Sequence, residues 1–197
     1  MKAIIFAVAI VLATSFPLYK QCDDRWRNDA LGNGGGKTIC QAGCLMSSMA
    51  MFMSPKVKIS AATITPKNLN SWLKVNGGYA SGNLFVWGSV AKLGLSYVGK
   101  TTDKNTMKNY INQGYGVILN VKNGGHWVLA TGHTTAGFTV NDPGATKTSY
   151  TNAEVVGAGV YRPIGKLASP EEDLSMFTFE EFENLDNIET VFEEPSF

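Results

Sequence analysis

Apolar positions along this chain recur first at helical spacing and later in short runs that suit strands. Leu45, Met46, Met49, Phe52 and Met53 lie at helical intervals, which predicts a helix that starts close to Cys44, ends before Pro55 and carries one apolar stripe. Methionine at such positions is ordinary core filling. A second helix is signalled by Thr65 as cap, Pro66 at the first helical position, and Leu69, Trp72 and Leu73 on a shared face, and Asn76-Gly77-Gly78 ends it. A shorter helix is expected over residues 87–93, and another over 103–113, stopped by Gly114. After Gly116 the period changes: residues 117–121, 127–131 and 137–140 read as strands bounded by Gly, Asn or Pro, with a last strand around 158–161. Helices first and consecutive antiparallel strands second predict an α+β fold. The glycine-rich stretch from Asp29 to Gly36 reads as an exposed loop, and no internal repeat interrupts the pattern.

The two ends depart from this pattern. Met1-Lys2 and the apolar run from Ala3 to Ala13 form the charged and hydrophobic regions of a secretory signal peptide, with small residues at Ala13-Thr14-Ser15. The run is shorter than the roughly 20 residues of a membrane-spanning helix. The expected organisation is therefore a signal peptide over 1–15, one domain over 16–165 and a tail over 166–197, in a secreted protein that does not engage a membrane once the signal is removed. From Lys166 onward a single lysine stands among many Asp and Glu, interleaved with Phe177, Phe179, Phe182, Ile188 and Phe192. The formal net charge of +1 thus conceals a basic domain and an acidic, aromatic tail through which the protein could dock on itself or associate.

Three cysteines follow the signal: Cys22, Cys40 and Cys44. In a secreted chain an odd count implies one pair and a free thiol, or a bridge to another chain. Cys44 stands where the first helix should begin, where unpaired N–H groups and the positive end of the helix dipole favour a thiolate. A buried core cysteine would look the same. His126 opens a strand after the turn Asn123-Gly124-Gly125, where an imidazole can face a cleft, although structural histidines also occupy such places. His133 falls in an expected loop and reads as solvated. Asp142 ends the next strand, so a hairpin from His126 would bring the two side by side; Asp142-Pro143-Gly144 is equally an ordinary turn. Together, thiol, imidazole and carboxylate in this order form a nucleophile, a base and the group that orients the base.

Gln21 with Asp24-Arg25-Trp26, the run from Gly43 and Cys44 to Met51, Leu69-Asn70-Ser71-Trp72-Leu73 with Asn76-Gly77-Gly78-Tyr79, His126-Trp127-Val128 and Asn141-Asp142-Pro143-Gly144 resemble, in the same order, the peptidases that cleave double-glycine leaders and their secreted relatives. The resemblance covers residues 18–161. It implies a papain-like cysteine peptidase in which Cys44 attacks an amide carbonyl, His126 transfers the proton, Asp142 orients His126 and Gln21 helps hold the oxyanion. Many members carry glycine after the nucleophile, where this chain has Leu45. Cys40, read as lying in the approaching loop, then becomes the expected disulfide partner of Cys22, which leaves Cys44 free.

Other chemistries find little support. Two histidines and three cysteines show no zinc spacing, and basic residues are scattered. No metal, cofactor or nucleic acid is expected, and the partner is a peptide or protein substrate. The competing function class is a catalytically inactive extracellular binding or coat protein on the same fold, assembling through the acidic tail.

Overall fold

The computed structural model describes residues 15–164 of the 197. The expected signal segment, Ser15 apart, and the acidic tail lie outside the described residues. Within them, no helix is long and apolar enough to cross a membrane.

Two helices follow one another almost without a break. Thr38 opens α1 (Ile39–Ala42) with a capping box: its side chain accepts from the Gln41 N–H while the Gln41 side chain accepts from the Thr38 N–H. Gly43 then leads directly into α2 (Cys44–Met53). A Cβ on residue 43 would come within 2.5 Å of the Ile39 carbonyl oxygen, so only glycine lets α1 turn into α2 at this point. Cys40 accordingly sits in a one-turn helix rather than in the loop expected from the sequence. The single apolar stripe is also corrected, because every residue of α2 from Met46 to Met53 is buried, while Leu45 is only partly so. α2 packs against two later strands, over Gly116–Val121 and His126–His133, and against α3 (Pro66–Val75), so nearly its whole circumference is core. α3 begins as predicted, with Thr65 as cap and Pro66 in the first turn.

Two small hairpins, β1 (Lys58–Ile59) with β2 (Ala62–Thr63) and β3 (Tyr79–Ala80) with β4 (Leu84–Phe85), flank α3 in sequence. A 3₁₀ helix (Trp87–Leu93) and β5 (Leu95–Thr101) come next, before α4 (Lys104–Asn112). β6 (Gly116–Val121), β7 (His126–His133), β8 (Gly137–Asn141), β9 (Ser149–Thr151) and β10 (Val155–Pro163) complete a six-stranded antiparallel sheet in the order β5-β10-β6-β7-β8-β9. Helices do not simply precede strands, since β5 comes before α4 and forms one edge of the sheet.

An apolar cluster packs on each face of the sheet. Ile118, Leu129 and Tyr161 join the core around α2, whereas Val117, Leu119, Val121 and Val128 pack with Met107 of α4. Strand alternation sends neighbours to opposite faces, and both faces here are apolar, which is why β6 reads as a nearly unbroken hydrophobic run. The result is a layered α+β structure with the start of α2 beside the start of β7.

Candidate active site

Cys44 is the first residue of α2, and Gly43 before it offers no side chain to cap the helix. The first N–H groups of a helix lack intrahelical acceptors, so this end presents open donors and a positive dipole at the thiol. Cys44 is half-buried and free. Cys22 and Cys40 form a disulfide, which joins the N-terminal segment to α1.

His126 and Asp142 meet because β7 and β8 pair antiparallel, with Leu129 opposite Asn141. Asp142 follows the last residue of β8 and is 1 % exposed. Its Oδ1 lies 2.7 Å from His126 Nε2 and accepts the N–H groups of Gly144 and Ala145, each at 2.8 Å. Oδ2 accepts the Tyr150 hydroxyl at 2.8 Å. Burial alone would raise the Asp142 carboxyl, but His126, Tyr150 and the two backbone donors outweigh it and hold the group well below the usual carboxylate range. Burial works against a charged His126 too, yet the hydrogen bond to Asp142 and the interaction with Cys44 prevail, and its pKa rises to about 9. With Nε2 committed to Asp142, Nδ1 is the nitrogen left to serve the thiol.

The N-terminal segment is clasped by the loop that carries Asp142. Asn141 Nδ2 donates to the carbonyls of Phe16 and Pro17 at 3.1 and 3.2 Å, and the Gln21 N–H donates to the Pro143 carbonyl at 2.9 Å. Lys20 Nζ donates to the Asp142 carbonyl at 2.7 Å and also to that of Ala145. Gln21 thereby arrives beside His126. Its Nε2 donates to the Cys40 carbonyl at 2.6 Å, while its Oε1 is buried without a hydrogen-bond partner. An amide nitrogen has two hydrogens, so one remains beyond the bond to Cys40.

The structure thus brings together Cys44, His126, Asp142 and Gln21, all four residues singled out in the sequence. His133 is a correction: it ends β7, half-buried, and its Nε2 lies 2.9 Å from Asn112 Oδ1. Tyr150 and Lys20 escaped sequence reasoning. Tyr150 lies on a three-residue strand with no periodic signal, and Lys20 acts through its reach to two carbonyls. Among the described residues, no group of three or more His, Cys, Asp or Glu side chains could hold a metal ion.

No curated protein matches this chain. The model of the Peptidase_C39 like family matches residues 13–169, a span that contains the whole described fold and every residue of this site. The chain therefore belongs to the Peptidase_C39 like family and has the α+β fold of a papain-like relative of the C39 cysteine peptidases.

Proposed function

We propose that this protein is a secreted thiol peptidase or amidase that hydrolyses peptide bonds through Cys44, His126 and Asp142. The observation that carries this reading is an imidazole held by a buried carboxylate and interacting with a free thiol at an uncapped helix start. Cys44 passes its thiol proton to His126 Nδ1 as Sγ bonds to the carbonyl carbon, and the oxygen becomes an oxyanion facing the Cys44 N–H and the remaining Gln21 amide hydrogen. Collapse breaks the C–N bond while His126 gives its proton to the leaving amine. Water, deprotonated by His126, then cleaves the thioester, and the acid product leaves with Cys44 restored. Asp142 stays ionised throughout and orients the ring. Secretion is supported by the signal-like start of the sequence and by a disulfide, a bond that persists in oxidising compartments.

Digestion of a peptide library by the purified protein and by its Cys44→Ala variant tests the assignment. Cleavage by the native protein alone is expected; cleavage by both would remove Cys44 from the chemistry. A second reading, an inactive binding or coat protein, is favoured by the Gln21 amide being tied to Cys40 and by Leu45 following the thiol. Iodoacetamide separates the two. Rapid alkylation of Cys44 at neutral pH belongs to the enzyme, and an unreactive Cys44 to the inactive protein.

A further inference from the structure

The six-stranded sheet leaves one part of its α4 face uncovered. There a cleft of about 230 Å³ is lined by Ser96 and Val98 of β5, Tyr110 of α4, Tyr115 and Arg162 of β10. Ser96 and Arg162 are cross-strand partners, so the floor is the β5–β10 ladder itself. Tyr110 and Tyr115 stack at 5.0 Å and form one wall. Arg162 is exposed, and among the described residues no carboxylate pairs with it. Two exposed apolar residues adjoin the cleft: Val98, which lines it, and Ile164, just past the end of β10. Aromatic rings beside an arginine that no described carboxylate pairs, with apolar surface next to them, have the composition of a protein-binding patch.

We infer that this cleft is the docking site for the protein's own C-terminal segment, residues 166–197. Three features select that occupant. Charge is divided almost evenly: residues 16–164 carry 15 Lys and Arg against 6 Asp and Glu, and residues 165–197 carry one against 10, so a body of +9 is joined to a segment of −9. The segment also interleaves its acids with Phe177, Phe179, Phe182 and Phe192, which suit an aromatic cleft with an arginine. Finally, the chain leaves the sheet at the cleft, since Pro163 pairs with Leu95, next to Ser96, and the Ile164 N–H donates to the Gly94 carbonyl at 2.7 Å. A tether that starts beside its site gives an effective concentration on the order of millimolar, which favours docking within one molecule over exchange between copies.

Hydrogen exchange on the full-length chain tests the inference independently of catalysis. Amides of β5 and of residues 110–116 are expected to exchange about tenfold more slowly in the native protein than in a full-length variant carrying Phe177→Ser, Phe179→Ser and Phe182→Ser. The protection should be unchanged by protein dilution and should weaken in about 1 M salt, which screens the charges. Arg162→Glu should remove it as well; if that variant misfolds by circular dichroism, the salt series on the native chain carries the electrostatic arm. Equal exchange in native and tail-substituted proteins would overturn the inference, and protection that grows with concentration would replace the tether with a contact between copies.

Discussion

Gly144 lies directly against the His126 imidazole: a Cβ at that position would stand 2.9 Å from Cε1 and 3.4 Å from Nε2. The ring cannot step aside freely, because Asp142 holds its Nε2 and the Gly144 N–H is bound to the same carboxylate oxygen. The same Cβ would also stand 3.3 Å from Gln21 Oε1. Gly144→Ala is therefore expected to displace the imidazole from the thiol while leaving the core intact. Misplacement of a catalytic group by about 1 Å costs on the order of 100-fold in rate. Measured kcat/KM should fall by about that factor with an unchanged circular dichroism spectrum, and native-like turnover would show that the ring tolerates the shift.

Asp142→Asn separates the charge of this residue from its hydrogen bonds. The amide oxygen can still accept the Gly144 and Ala145 N–H groups, and the amide nitrogen can donate to Tyr150, whose hydroxyl turns to accept. The negative charge is lost. The His126 pKa, about 9 in the native protein, should drop toward its ordinary value in an NMR titration, and kcat should fall by more than about 100-fold while folding changes little. A titration that does not move would take Asp142 out of the electrostatics of the site.

The site also imposes a pH profile on stability. The folded-state pKa of His126, about 9, lies above its ordinary 6.5, so its contribution is fully present below pH 6.5 and is lost as pH rises toward 9. Asp142 acts from the other side: its depressed carboxyl contributes above the ordinary 3.8, and that contribution disappears as pH falls further. Urea unfolding should show a decline between pH 6.5 and 9 that flattens in His126→Asn. An alkaline decline of equal steepness in both proteins would belong to other groups.

Removal of the Cys22–Cys40 bridge should be felt in both folding and activity. Closing a loop of this size typically stabilises a small domain by about 2 to 4 kcal/mol. The bridge also fixes the relative position of the Gln21 segment and the Cys40 carbonyl that holds the Gln21 amide. The double variant Cys22→Ser, Cys40→Ser is expected to melt several degrees lower and to lose kcat at temperatures where it remains folded. Full kcat with only a lower melting point would confine the bridge to stability.

What the sequence disclosed and what it withheld differ by the range of the forces involved. α3 was legible to its first residue because Thr65 and Pro66 act within one turn. The meeting of His126 with Asp142 was legible because two short strands and one turn suffice to make it. β5 was missed because only Leu95 of its seven residues is buried, so an edge strand rich in polar residues and glycine shows no alternation. The stripe expected on α2 became burial on nearly all sides, since the covering partners β6, β7 and α3 come from distant parts of the chain. Tyr150 and Lys20 complete the surroundings of Asp142 through contacts that only the folded topology creates.

Cys40 belongs to the bridge and Cys44, one helical turn further on, is the free thiol, so any external reductant acts on this short stretch in two opposed ways. Mild reductant returns an oxidised Cys44 to the thiol that can react. Stronger reductant also opens Cys22–Cys40 and loosens the segment that carries Gln21. For the proposed peptidase activity, a plot of turnover against dithiothreitol should therefore rise and then fall, with its maximum below the reductant level that suits thiol hydrolases lacking such a bridge.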